Sequence, residues 1–242
     1  MMLWAVLPWL LRAGAVVFDA RIPAGSRCAV VFNSGVLRKF PHGAAIDAHD
    51  VVIRINMLNR TGHESFLGSR WTHEFASFQK PLDGYACPAA PPRRTCPRGV
   101  VGLSFERHSP ADCGRHAVCC RDRILARHGS WVLLPEDFSL ACRELVVGTH
   151  LSQCSSGFAA ALLARSRCAN VTVFGANDDP CFPYHYTDPP FPPDTCARAL
   201  QRRKAPPGYV KYHRSPHSFN REHEVLREWR DAGDLVLSLI HI

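Results

Sequence analysis

The chain lacks most of the features that mark the simplest functional classes. It has no internal repeat and no low-complexity domain, so it is neither a stacked array nor a disordered scaffold. No cysteine pair shows the CxxC…CxxC or Cx2C…Hx3H spacing of a zinc site. Asp178-Asp179 has no flanking apolar strand-end DxD pattern and reads as a solvated turn rather than a metal-binding pair. The aromatics do not alternate with basic residues. Apart from short runs such as Arg202-Arg203-Lys204, the cations are scattered, which argues against a single-strand nucleic-acid platform. The N-terminal run from Met1 to Phe18 is apolar, but it is broken by Pro8 and Arg12. It has no basic residues ahead of it and is marginal in length for a membrane span.

What is present is a 242-residue chain of formal charge +8, long enough to bury the core of one α/β domain. The positive balance favours an anionic ligand, and a phosphorylated small substrate accounts for it as well as any polymer. Eleven cysteines are too many for an ordinary cytosolic enzyme of this size, so with no zinc spacing they read as disulfides in an oxidising compartment. The odd count leaves at least one thiol unpaired or bonded to another chain. Two sequons, Asn59-Arg-Thr61 and Asn170-Val-Thr172, are compatible with a secretory lumen.

Two blocks read as the halves of one nucleotide site. The first runs from Cys28 through Ala-Val-Val-Phe-Asn-Ser-Gly35 and continues at Asp50-Val-Val-Ile-Arg-Ile-Asn56. The second runs from Cys154-Ser-Ser-Gly157 to Cys168 and is followed by Val171-Thr-Val-Phe-Gly175. A strand then a turn is expected over 28–35, and strands over 51–55, 131–135 and 171–175, with a last one at 235–240. Helices are expected over 138–150, 158–168 and, as a capped helix, in the segment opened by His217-Ser-Phe-Asn. The second of these carries serine as N-cap and arginines in its last turn. Residues 80–98 and 178–209 are proline-rich and read as irregular, the former suited to closure by Cys87–Cys96. Residues 62–72, with Gly62, Gly68 and Thr72, read as a polar stretch. Strand–helix–strand units of this kind build a mostly parallel sheet covered on both faces.

Single residues carry chemistry only in combination. Ser155-Ser156-Gly157 at a helix N-terminus offers backbone N–H groups and a positive dipole end to a phosphate, although plain capping is the commoner use of such a triplet. Asn33 and Asn56 follow buried strands, where amides reach a ribose or phosphate at the carboxyl edge of a parallel sheet. His185 and His217 lie in polar, loop-like settings suited to a general base or phosphate partner at neutral pH.

The order of these signals resembles one family. Cys28-Ala-Val-Val-Phe-Asn-Ser-Gly-Val-Leu37 with Ile46-Asp47, His49-Asp50 and Arg54-Ile-Asn56 resembles the large sialylmotif of the eukaryotic-type sialyltransferases, glycosyltransferase family 29. The likeness continues through Leu67-Gly-Ser-Arg70 and Thr72-His73. Ser155-Ser-Gly157 through Cys168 and Phe174-Gly175 looks like the small motif, Tyr184-His-Tyr-Thr-Asp188 like the third, and His217 with Glu222 like the very small one. The four motifs keep the family order over residues 27–224.

The resemblance implies a Rossmann-like variant of the GT-A fold: a mostly parallel central sheet flanked by helices and stapled by disulfides. On it, residues 26–242 form the catalytic domain and 1–25 an apolar segment. That segment reads as a poor signal-anchor, its remnant, or a buried first helix or strand. The implied reaction inverts an anomeric centre without a metal or other cofactor, moving sialic acid from CMP-sialic acid to a glycan hydroxyl of a glycoprotein or glycolipid. Carried over by motif, Asn33, Ser34, Asn56, Ser155, Ser156 and Gly157 hold the donor. His185 assists the phosphate leaving group, and His217 takes the acceptor proton. Asp47, Tyr186 and Glu222 support the motifs. Cys28–Cys168 is the family bridge, and Cys181–Cys196 matches one found in some members.

The implied setting is the Golgi lumen, as a type II membrane protein whose anchor is weak or missing in this chain. No nucleic-acid partner is implied. The chain departs from the family at Phe32 (usually glycine), Val36 (asparagine in many members), Cys154 (usually proline) and Thr187 (commonly aromatic), which marks a divergent member. Two alternatives stay open: a CMP-Kdo transferase of algal or plant-like type on the same fold, and an inactive CMP-sugar-binding homologue.

Overall fold

A computed structural model describes residues 20–56, 58–76, 100–105, 131–146, 154–176, 181–191 and 218–238. Its centre is a seven-stranded sheet made of β1 (Arg27–Val31), β2 (Val51–Ile55), β3 (His73–Phe75), β4 (Val101–Phe105), β5 (Trp131–Leu134), β6 (Asn170–Phe174) and β7 (Val236–Ser238). The strand order is β5-β4-β3-β2-β1-β6-β7 and every pairing is parallel. The order therefore reverses between β1 and β6, the position at which open α/β sheets bind ligands beyond their carboxyl ends. This is the Rossmann-like sheet with flanking helices expected from the strand–helix–strand pattern.

The strands are apolar because both their faces are covered. In β1, Cys28 and Val30 join one buried cluster while Ala29 and Val31 join the other, following the period-two alternation of a strand. The thicker cluster is built by α3 (Glu136–Val146), α4 (Ser156–Arg167) and α5 (Phe219–Asp231). The thinner one lies under a 3-10 turn (Gly35–Lys39), α1 (Gly43–Asp47) and α2 (Glu64–Leu67).

Helix α4 is buried continuously from Ser156 to Ala164, so its alanines admit close approach to the sheet on one side and to α5 on the other. Phe158 stacks on Trp229 of α5 with centroids 5.3 Å apart, and full burial of that phenyl group stabilises by about 1.5–3 kcal/mol. Arg165 lies 4.9 Å over the opposite partner, Trp229, and its Nε donates to Asp234 at 3.0 Å.

Several expectations are met: β1, β2, β5 and β6 fall where the apolar runs place them, and α4 ends in Arg165 and Arg167. Others need correction. The polar stretch 62–72 contains α2 and leads directly into β3, which holds the buried pair His73 and Glu74. The serine that begins α5, Ser218, makes no side-chain cap bond. The helix expected over 138–150 starts at Glu136, and its described part ends at Val146.

Cys28 and Cys168 are joined, closing a separation of 140 residues and stapling β1 to the end of α4. A second bridge, Cys142–Cys154, ties α3 to the residue before α4's cap; no sequence signal assigned that pair. Cys181 is disulfide-bonded. Residues 1–19, Cys87, Cys96, Cys113, Cys119, Cys120, Asp178, Asp179, Cys196 and His217 lie outside the described residues. Among those described, no helix is long and apolar enough to cross a membrane.

Candidate functional site

Three segments meet beyond the carboxyl ends of β1, β2 and β6. The first is the loop Phe32–Ser34. Its backbone is held by the Phe32 N–H, which donates to the Phe174 carbonyl at 2.9 Å and so ties the ends of β1 and β6. The Asn33 Nδ2 donates to the Ile55 carbonyl at 2.9 Å, tying the ends of β1 and β2. Ser34 uses its hydroxyl locally, accepting the Val36 N–H at 3.3 Å to open the 3-10 turn.

Asn56 ends β2 in the left-handed region, at φ 60°, a conformation that asparagine tolerates better than most residues. Its N–H donates to the Phe75 carbonyl. Its Oδ1 is buried and has no hydrogen-bond partner among the described residues. A buried acceptor left unpaired costs about 1–3 kcal/mol, so the amide is placed to gain from a ligand that supplies a donor.

The second segment is the N-terminus of α4. The Ser155 N–H donates to Glu222 Oε1 at 2.7 Å, and its hydroxyl donates to Oε2 at 2.6 Å. The same hydroxyl accepts the Phe158 N–H at 3.1 Å, which is the cap expected of it. Glu222 is 2% exposed, so α5 projects a buried carboxylate onto α4's first turn. Charge and dipole agree there, since an anion beside a helix N-terminus is stabilised. Gly157 faces Phe32: a Cβ at 157 would lie 3.0–3.2 Å from three atoms of the phenyl ring. Only glycine admits the ring so closely.

The third segment carries Tyr184-His185-Tyr186. It is laid over the first, because the Tyr186 N–H donates to the Asn33 carbonyl at 2.7 Å and the Gly35 N–H donates to the Pro183 carbonyl at 2.9 Å. A side chain at Gly35 would meet Pro183 at 2.8 Å. His185 is half-buried; its N–H donates to Asp188 Oδ2 at 3.0 Å, and its Nδ1 lies 3.7 Å from the same oxygen. That carboxylate thus holds the His185 backbone and lies beside the imidazole. The Tyr184 ring stands 4.5 Å from His185 and 6.0 Å from Phe219, the first residue of α5.

The motif-supporting residues have distinct tasks. Asp47 accepts the N–H groups of Ser69 and Arg70 at 2.8 Å each, and the Ser69 hydroxyl at 3.0 Å. Burial alone would raise its pKa, but these bonds hold it below the ordinary carboxylate range. Tyr186 is buried, which pushes its hydroxyl up to about 12. Arg54 was missed as a site organiser. Buried at 6% exposure, it donates to the carbonyls of Leu67, Gly68 and Arg70, and burial lowers it to about 10. The signal was available: an arginine in the middle of Val51-Val-Ile-Arg-Ile55.

The arrangement thus brings together Asn33, Asn56, Ser155, Gly157 and the His185 segment around one sheet edge, with Asp47 and Arg54 shaping the adjoining turn 67–70. Among the described residues no cluster of histidine, cysteine and acidic groups has the make-up of a metal site.

Comparison with known proteins bears on the same segments. Residues 20–81 match the family model of glycosyltransferase family 29 (sialyltransferase). CMP-N-acetylneuraminate-beta-galactosamide-alpha-2,3-sialyltransferase 1 of Gallus gallus is 53% identical over 49 residues, which are 20% of this chain and 14% of that protein. The protein of the same name from Sus scrofa is 42% identical over 59 residues, 24% of this chain and 17% of that one. The matched segment therefore spans a small part of these relatives' length. A crystal structure of a mammalian sialyltransferase shares the fold with TM-score 0.61 at 18% identity, over 96% of this chain and 78% of that one. A second, in complex with Gal-beta-1-3GalNAc-ortho-nitrophenol, gives 0.60. The chain resembles the sialyltransferases, as its motif order implied. These vertebrate relatives lend no support to an algal or plant-like origin.

Proposed function

We propose that this chain is a sialyltransferase-type glycosyltransferase, residues 26–242 forming its catalytic domain, that moves sialic acid from CMP-sialic acid to a glycan hydroxyl in the Golgi lumen. The observation that carries this reading is the buried, unpartnered Asn56 Oδ1 at the sheet edge, next to the Asn33 loop and across from α4's N-terminus. An acceptor amide suits ribose hydroxyls, and a helix N-terminus suits the nucleotide phosphate.

In this reading Asn33 and Asn56 contact the ribose and phosphate side of the donor. Ser34 holds the loop that presents Asn33, and the backbone of Ser156 and Gly157 faces the phosphate. Ser155 serves indirectly, because its hydroxyl and N–H are committed to the helix cap and to Glu222. His185, beside Asp188, donates to the departing phosphate. Tyr186 anchors its segment to Asn33.

His217, two residues before the start of α5 in the sequence, is assigned the general base that takes the acceptor proton. Attack at the anomeric carbon breaks the bond to the CMP phosphate on the opposite face, so a single displacement inverts the centre. One histidine at each end of the reaction, with helix and amide donors between, supplies acid–base and electrostatic assistance without requiring a cation.

The test is a screen of the purified full chain with CMP-sialic acid and CMP-Kdo against a glycan acceptor panel, with the product linkage read by NMR. Transfer of sialic acid with inversion is expected, undiminished by a chelator. Binding of CMP with no transfer to any acceptor would identify a non-catalytic homologue instead. His217→Ala should lower kcat by roughly 10²–10⁴. Retention of activity within a few-fold would remove His217 from the base role.

A further inference from the structure

Two segments of the chain carry the Asn-X-Thr pattern, and the fold gives them opposite surroundings. Asn59-Arg60-Thr61 follows β2 on the surface. Its middle residue turns inward: the Arg60 guanidinium lies 4.3 Å over the Trp71 ring and donates to the Ser69 carbonyl at 3.3 Å. Asn59 and Thr61, on either side, are both exposed. The Thr61 N–H donates to Asn59 Oδ1 at 3.1 Å, an Asx-turn that uses the amide oxygen and not Nδ2, the atom that takes a glycan. The turn is held on its far side as well, where the Gly62 N–H donates to Glu64 and the His63 N–H to the Arg60 carbonyl.

Asn170-Val171-Thr172 opens β6 instead. Val171 is buried, and Asn170 stands in register with Arg27 of β1, whose guanidinium is bound to Asp50. The Thr172 hydroxyl lies 3.1 Å from His49 Nε2. Two residues before Asn170, Cys168 is bonded to Cys28. Here the backbone serves the sheet and the hydroxyl serves a histidine.

We propose that Asn59 carries an N-linked glycan and that Asn170 does not. In the transfer, Asn59 Nδ2 forms a bond to the anomeric carbon of an oligosaccharide held on a polyprenyl diphosphate. The bond from that carbon to the diphosphate oxygen breaks, the diphosphate leaves with the electron pair, and Nδ2 gives up one proton. The pattern supplies an amide and, two residues on, a hydroxyl, and a transferase must reach both together. At Asn59 they stand on one exposed turn. At Asn170 they are reached together only by lifting β6 from β1 and breaking the contact of Thr172 with His49. Because Asn59 is exposed, the added sugar displaces no core side chain. Modification at Asn59 rests on the lumenal setting of the reading above, with which the bridges Cys28–Cys168 and Cys142–Cys154 agree.

The experiment translates the full chain, preceded by a cleavable signal peptide, in the presence of microsomes under oxidising conditions. Only the protease-protected fraction is scored, so entry into the lumen is secured for every variant. The parent should show a single gel shift that endoglycosidase removes. Asn59→Gln and Thr61→Ala should each lose it, whereas Thr61→Ser, which restores a hydroxyl, and Asn170→Gln should keep it. Peptide N-glycosidase in heavy-oxygen water then labels each glycosylated asparagine as it becomes aspartate. Mass spectrometry of the parent should find that label at position 59 and not at 170.

A protected parent chain with no shift, or a shift that survives Asn59→Gln, would overturn the site and leave the sialyltransferase reading standing. Label at both asparagines would overturn the selection between them by the fold. The lumenal reading is tested apart from these: if Cys28 and Cys168 of the native protein are found as free thiols, that reading falls and modification at Asn59 with it.

Discussion

The two halves of the site are organised by opposite means. At the ends of β1 and β2 the positions of Asn33 and Asn56 come from main-chain geometry. Strand register, a bond from Asn33 to Ile55 and the left-handed turn at Asn56 set them, and one buried acceptor remains unpaired. At the start of α4 the positions come from side-chain clamps brought from elsewhere. Glu222 of α5 grips Ser155, Cys142 of α3 is bonded to Cys154, and Phe32 covers Gly157. The first half holds unspent polar capacity in a rigid frame, whereas the second has spent most of its capacity on being held. An amide on a sheet edge needs no further support, because the parallel ladder already fixes it. A helix terminus packed between a sheet and another helix is fixed only by what its neighbours lend it.

The largest effect should come from uncoupling the halves. Cys28→Ala with Cys168→Ala opens a closure of 140 residues and should cost about 4–5 kcal/mol in the chain-entropy picture, read as a fall in the denaturant midpoint. Cys142→Ala with Cys154→Ala opens a separation of only 12 residues and should cost about 3 kcal/mol or less. Equal losses from the two pairs would mean that loop closure is not what the bridges contribute.

Next is the clamp itself. Glu222→Ala leaves the Ser155 N–H and hydroxyl without their buried carboxylate and should destabilise by about 2–3 kcal/mol, with Glu222→Gln recovering part of the loss. A variant as stable as the parent would show that α4 holds its own terminus.

Asn56→Ala acts the other way. It removes an unsatisfied acceptor, which offsets the roughly 1–2 kcal/mol that alanine costs at φ 60°, so the net stability cost should be small, yet CMP affinity should fall by about 5–30-fold, equivalent to about 1–2 kcal/mol. A large loss of stability with unchanged CMP binding would invert the contrast between the halves.

The smallest effect is a pH dependence seated beside the first half. Burial pushes His73, in β3, below its ordinary pKa, so the folded state holds it neutral more firmly than the unfolded chain does. The unfolded state then binds more protons on acidification. Stability from this group is complete above the unfolded value near 6.5 and is lost as pH falls toward the lowered folded value. Midpoints measured from pH 7.5 to 5 should decline, and His73→Gln should flatten that slope.

Legibility in the sequence followed the same division. Strands β1, β2 and β6 were readable as unbroken apolar runs, because a parallel strand covered on both faces has no polar side to show. Helix α4 was readable from its alanines, its capping serine and its terminal arginines. Strand β3 was not, since His73 and Glu74 look like surface residues and only tertiary burial makes them interior. Asp47 was recognisable as part of a motif, but its service to the Ser69–Arg70 turn, 22 and 23 residues away, is a property of how α1 and that turn are folded together.

By itself the sequence determined the class of sheet, the two blocks at its switch point and the family that their order resembles, and that resemblance implied the bridge between Cys28 and Cys168. These depend on local composition, on chain order and on residues whose chemistry is specific in combination. Tertiary structure alone decided that Glu222 reaches Ser155 across 67 residues, that Cys142 partners Cys154, and that the Phe32 ring rests on Gly157. The reason is physical: such contacts depend on the spacing of packed elements within a few tenths of an ångström, and no pattern along the chain encodes that distance.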